Sequence, residues 1–109
     1  MFAVIYRSKL KPNCEELFKA SWRTIANYFV AHHGAIGSCL HKTDDGYWIT
    51  YSRWPSREAR DAVWSSDDKK VSQPFPADIQ AAVATLKDCI AEQEPDLTME
   101  VVGDLLLSS

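Results

Sequence analysis

The sequence predicts an α+β domain built as a ferredoxin-like antiparallel sheet with helices on one face, and three observations carry that prediction. Apolar and aromatic runs of strand character mark Phe2 to Leu10, Ala35 to Thr43, Tyr47 to Trp54 and Pro95 to Gly103. Spacing of 3.6 residues or a capping signal marks helices from about Cys14 to Ala31, Arg57 to Ser65 and Ala77 to Glu92. Asp44-Asp45-Gly46 supplies a hairpin turn between the second and third strands. With right-handed crossovers, the order strand, helix, strand, strand, helix, helix, strand closes into one mostly antiparallel sheet.

Each element has its own warrant. Phe2 to Leu10 places Phe2, Val4 and Tyr6 on one face and Ala3 and Ile5 on the other, so it needs cover on both sides. The next helix has an expected N-cap at Asn13, with Glu16 three residues on as in a capping box. Leu17, Phe18, Trp22, Ile25 and Phe29 form its apolar stripe, and His32-His33-Gly34 stops it. Gly37 interrupts the second strand; the third sets Tyr47, Ile49 and Tyr51 against Trp48 and Trp54. Pro55 ends that strand, and Ser56 caps the short helix whose Ala59, Ala62 and Val63 point inward. The polar stretch Ser65 to Pro76, broken by two prolines, is expected to be a loop over a pocket. The last helix turns Ile79, Val83, Leu86 and Ile90 inward, and Leu105-Leu106-Leu107 forms an apolar tail.

A chain of 109 residues, 46% apolar and 25% charged, suits one domain over residues 1–109. No apolar run approaches the roughly 20 residues of a membrane helix, and Met1 leads directly into a strand pattern, so a cytoplasmic, membrane-free protein is expected. A net charge of −3 without a basic stripe argues against nucleic acid. Cys14, Cys39 and Cys89 lack metal-site spacing and are expected to be buried, reduced thiols; no metal is expected. Helices cover one sheet face only, and the other still carries bulky apolar groups. A homodimer with two sheets stacked face to face about a two-fold axis covers it, the alternative being a monomer with an apolar sheet surface.

Residues Tyr47 to Trp64 hold three of the four tryptophans and are where a flat aromatic ligand would meet the protein. Together with the run Trp54-Pro55-Ser56-Arg57-Glu58-Ala59 and the turn His32 to Ser38 (HHGAIGS), the element order resembles the antibiotic biosynthesis monooxygenase (ABM) domains of the dimeric α+β barrel superfamily over nearly the whole chain. The resemblance implies a homodimer with one pocket per subunit between sheet and helices. It also implies oxidation of a small planar phenolic or anthrone-like compound without flavin or metal, so no cofactor is expected. A non-catalytic ligand-binding or structural domain is the first alternative, and haem binding or degradation the second. The haem-degrading relatives carry an asparagine where Tyr6 stands and a histidine after the site approximated by Trp64, but no histidine follows His41 here. The anthrone-oxidising relatives carry an amide and a tyrosine where Arg60 and Lys70 stand.

Cofactor-free oxygenation requires a substrate that, once deprotonated, reduces O2, and a site that excludes water and stabilises an oxyanion. Trp64 as ring wall and N–H donor, and Tyr6 as donor or proton relay, are the first candidates; ordinary packing is their other reading. His41 is a candidate base, with His32 and His33 set aside as a helix end. Trp22 and Tyr51 are candidate ring contacts, Trp22 equally a core residue, and Arg53 and Arg60 are candidate partners for a phenolate, otherwise solvent-facing.

Overall fold

The run that is apolar on both faces becomes the centre of the sheet. In the computed structural model, which describes residues 1–63 and 75–105, the strands are β1 (Phe2–Leu10), β2 (Gly37–Lys42), β3 (Trp48–Trp54), β4 (Ile90–Gln93) and β5 (Leu97–Glu100). The helices are α1 (Glu15–His32), α2 (Arg57–Asp61) and α3 (Ala77–Asp88). The sheet runs β2-β3-β1-β4, and β5 joins β1 beside β4. Every pairing is antiparallel, so the architecture is the α+β, ferredoxin-like one, with its last strand split in two.

Pairing register decides which side chains meet the helices. Phe2 faces Trp54, Val4 faces Ser52, Tyr6 faces Thr50 and Ser8 faces Trp48. This set packs on the helices, because Phe2, Val4 and Trp54 share a core cluster with Ile25 and Phe29 of α1 and with Val63, flanked by Ala82, Val83 and Leu86 of α3. A second cluster joins Phe18, Trp48 and Cys89. Burying side chains of this size contributes roughly 1.5–3 kcal/mol each. By strand alternation, the pairs Ala3–Arg53, Ile5–Tyr51 and Arg7–Ile49 point to the opposite face.

Local signals hold at several places. Gly34 and Gly46 take positive φ, 76° and 92°, at the end of α1 and in the hairpin turn. Thr43 and Tyr47 close that hairpin through the Thr43 N to Tyr47 O bond of 2.8 Å. Ser56 caps α2, its hydroxyl accepting from Ala59 N at 3.1 Å.

Four expectations are corrected. Asn13 is not the N-cap of α1: it turns left-handed, φ 63°, and Cys14 holds the cap position without a side-chain cap bond. Glu16 pairs instead with Lys19 at 2.9 Å. Helix α3 stops at Asp88, not Glu92, and Ile90 leaves the helical stripe to open β4. Lys11 N donates to Cys89 O at 2.8 Å, which draws the chain onto the free edge of β1 at Ser8 to Leu10. Cys39 is exposed rather than buried, because it sits on the helix-free face of β2. Cys89 is buried; desolvation and a hydrogen bond with the Cys14 thiol push its pKa up. Helix α2 ends at Asp61 in a turn through Ala62 and Val63, and the leucines 106 and 107 and most of the expected loop lie outside the described residues. Among the described residues no helix is long and apolar enough to cross a membrane.

Candidate functional site

The helix-facing side of β3 is aromatic at its ends, Trp48 and Trp54, and small between them, Thr50 and Ser52. Ser8, Ser38, Thr50 and Ser52 point toward the helices, while Phe18, Trp22 and Phe29 descend from α1 and Trp54 rises from β3. Short hydroxyl side chains cannot fill the space beneath a helix carrying large rings. What remains is a cavity of about 360 Å³, inside the range typical of small-molecule pockets. Leu86 of α3 and Ile90 of β4 line it as well.

Its two polar ends differ. On the β2–β3 side, Trp22 Nε1 donates to Ser38 Oγ at 3.0 Å, and the hydroxyls of Ser38 and Ser52 are 3.1 Å apart. This relay satisfies the indole N–H and fixes the Trp22 ring as a wall. On the β1 side, Arg60 Nη1 donates to Tyr6 Oη at 3.2 Å. Arg60 is 8% exposed, its Nε donates to Asp61 at 2.8 Å, and its guanidinium lies 5.4 Å from the centre of the Phe2 ring. A buried guanidinium is tolerable only when such partners compensate its lost hydration. Burial pushes the Tyr6 pKa up to about 12, outweighing the hydrogen bond from Arg60 that pulls it down. The phenol therefore stays protonated, accepts from Arg60, and keeps its own O–H to donate.

The residues proposed from the sequence divide. Tyr6 and Trp22 line the cavity, and Arg60 stands buried behind Tyr6 rather than in solvent. Trp64 lies outside the described residues. His41, Tyr51 and Arg53 do not join this site. They occupy alternate positions paired with Ile49, Ile5 and Ala3, on the helix-free face. There Arg53 donates to Tyr51 Oη at 2.9 Å and to Asp104 at 2.7 Å. Tyr51 and Arg53 lie between Trp48 and Trp54 on β3 but out of phase with them, and His41 on β2 pairs with the outward Ile49.

Two residues on the β4–β5 edge were not anticipated. Gln93 and Asp96 both line the cavity although they are three positions apart. Asp96 is exposed at the rim, and partial desolvation there raises the pKa of its carboxyl, with Arg60 opposing it. The signal for these residues was Pro95, which cannot donate to a ladder and marks an irregularity in a strand. Among the described residues, no group of three or more His, Cys, Asp or Glu side chains could hold a metal ion.

No family model and no curated protein matches the chain. Solved structures do. A candidate antibiotic biosynthesis monooxygenase from Chloroflexus aurantiacus J-10-fl superposes with a TM-score of 0.71 at 17% identity, covering 94% of each chain. SnoaB, a cofactor-independent oxygenase from Streptomyces nogalater, superposes with a TM-score of 0.68 at 13% identity over 97% of each chain. The chain has the ABM fold. Rv0793 from Mycobacterium tuberculosis shares it, with a TM-score of 0.67 at 17% identity over 95% of this chain and 97% of its own. At these identities the likeness to ABM proteins is one of architecture, and the chemistry has to be argued from the side chains above.

The raised Tyr6 pKa gives a pH-dependent stability. A group whose folded pKa lies above its unfolded value of about 10 contributes stability that is fully present below that pH and is lost as pH rises through about 12. Urea denaturation of wild type and Tyr6→Phe is therefore expected to show a difference in unfolding free energy that is constant below about pH 10 and shifts against the wild type above it. A difference independent of pH across that window would mean that Tyr6 is not shielded from solvent.

Proposed function

We propose that the protein is a cofactor-independent monooxygenase that oxidises a small planar phenolic or anthrone-like compound in the cavity between α1 and the sheet. The observation that carries this reading is an aromatic-walled cavity of about 360 Å³ with an arginine-backed tyrosine hydroxyl at one end. Trp22, Phe29 and Trp54 provide faces for a flat ring and keep water from it. The Tyr6 O–H, polarised by Arg60 donating to the same oxygen, is a preorganised donor for a phenolate or enolate oxygen. An electron-rich anion held there is itself the reductant for O2, so the residues need only bind, orient and stabilise it. The shared fold of SnoaB, named a cofactor-independent oxygenase, supports the general kind of activity.

The non-catalytic alternative uses the same cavity and differs only in turnover. Haem binding finds less support, since none of His32, His33 and His41 lines the cavity.

The working unit we propose is a homodimer joined through the helix-free sheet face. Ile5, Ile49 and Tyr51 stand on that face, and Leu97, paired with Ile5 across β1 and β5, is 56% exposed. A second copy presents the same surface and can cover it without any further segment.

Oxygen uptake with a panel of anthrones and hydroquinones tests the activity. Uptake above the protein-free control is expected for at least one compound, with Tyr6→Phe lowering kcat by about 10²–10³-fold. A trace indistinguishable from the control across the panel favours the non-catalytic reading. Sedimentation equilibrium tests the assembly: a particle of twice 12.3 kDa is expected, shifting toward a single chain in Ile5→Lys. A wild-type particle of one chain's mass at micromolar concentration would remove the dimer.

A further inference from the structure

We propose that Asp96 is the proton acceptor of the cavity, taking the hydroxyl proton of a phenol, or the acidic C–H proton of its keto tautomer, from a substrate held against Tyr6. The proposal rests on the functional reading above for its substrate class and on the sheet geometry for the residue.

The β1 edge aims Asp96 through a one-residue register change. Ser8 pairs with Gln93 in β4, whereas Ile5 pairs with Leu97 in β5, so one residue is extra between the two pairings. Pro95 lies in that interval, after Glu94, whose N–H donates to Arg7 O at 2.9 Å. In an uninterrupted strand, residues three apart point to opposite faces. The extra residue brings Gln93 and Asp96 back to one face, beside Ser8 and Tyr6, and both line the cavity.

The other described lining residues leave no rival for the role. Only Tyr6, Lys87 and Asp96 among them carry titratable side chains. Tyr6 is committed as a donor, because burial keeps its phenol protonated and Arg60 donates to its oxygen. Lys87 is an ammonium with donors and no acceptor. Asp96 supplies an anionic oxygen, and partial desolvation raises its proton affinity above that of an ordinary carboxylate, which suits a general base for a weak acid. His41, the base expected from the sequence, stands across the sheet.

The step is balanced without any further reagent. Where the substrate is the phenol, its O–H bond breaks and the electron pair stays on oxygen; where it is the keto tautomer, the C–H bond breaks, its pair forms the enolate C=C, and the carbonyl π pair moves onto oxygen. In both cases the proton passes to a carboxylate oxygen of Asp96. The charge left on the substrate meets the Tyr6 O–H, with Arg60 behind it. Asp96 is an exposed residue that also lines the cavity, so it sits at the mouth, where the proton can leave to solvent.

Proton abstraction can be measured apart from oxygenation by following anthrone C10 hydrogen exchange in D2O by NMR, with O2 excluded. The wild type is expected to speed exchange above the protein-free rate. Asp96→Asn is expected to lower the protein-dependent rate by at least about 100-fold. Anthrone binding, followed by tryptophan quenching, should stay within about threefold, because an amide of the same shape keeps the rim polar. Asp96→Glu, which restores a carboxylate, is expected to regain part of the rate. An Asn variant that exchanges as fast as the wild type overturns the proposal, as does a wild type no faster than buffer. A protein that exchanges anthrone hydrogen yet takes up no O2 keeps Asp96 as the base and loses only the monooxygenase reading.

Discussion

Ser8, Ser38, Thr50 and Ser52 occupy four helix-facing positions beneath α1, and their small size is the constraint on which the candidate site depends. Leucines or phenylalanines there would interdigitate with α1, and close packing would leave no void large enough for a ligand. The hydroxyls also settle the polarity of the floor. Ser38 and Ser52 bond to each other and to the Trp22 indole, so two of the four have partners without any ligand present. The surrounding rings supply the apolar burial that holds α1 over the gap, with Phe29 and Trp54 in ring contact at 5.6 Å. The gap and its walls therefore come from one division of labour along the same strands.

Strand alternation then separates two surfaces that the chain places close together. Even-numbered residues of β1 and β3 face the helices, Tyr6, Ser8, Thr50, Ser52 and Trp54 among them lining the cavity; odd-numbered ones build the helix-free face where we place the dimer contact. A change of register by one residue would exchange those roles throughout, so the hairpin closed by Thr43 and Tyr47, neither of which lines the cavity, is part of what specifies it. The edge of β1 shows the same logic in reverse. There, the extra residue near Pro95 redirects a carboxylate into the site, which a regular strand would have turned away.

Much of the fold was legible because local signals and tertiary packing agree. The bounds of β1 coincide with the run Phe2–Leu10, the Asp44-Asp45-Gly46 turn makes its hairpin, and Ser56 caps its helix. The end of α3 was not legible, since Ile90 continues a helical stripe as well as it begins a strand, and only the unpaired edge of β1 decides between them. Half of the site was legible for a similar reason. Trp22 lies on the apolar stripe of α1 and Tyr6 shares a strand face with Phe2 and Val4, whereas the chemistry of His41, Tyr51 and Arg53 says nothing of the face they take. Asp96 required the register of two strands against a third, which no local window contains.

The central claim is that a gap above four small hydroxyl residues holds a planar aromatic molecule, and calorimetric titration of anthrone into wild type and Ser52→Leu tests it most directly. The wild type is expected to bind, and the variant to bind at least about tenfold more weakly at an unchanged or higher urea midpoint, since the added methylenes fill the gap rather than strain the core. Equal affinity in a variant that remains folded would show that anthrone does not occupy this space, and would contradict the account.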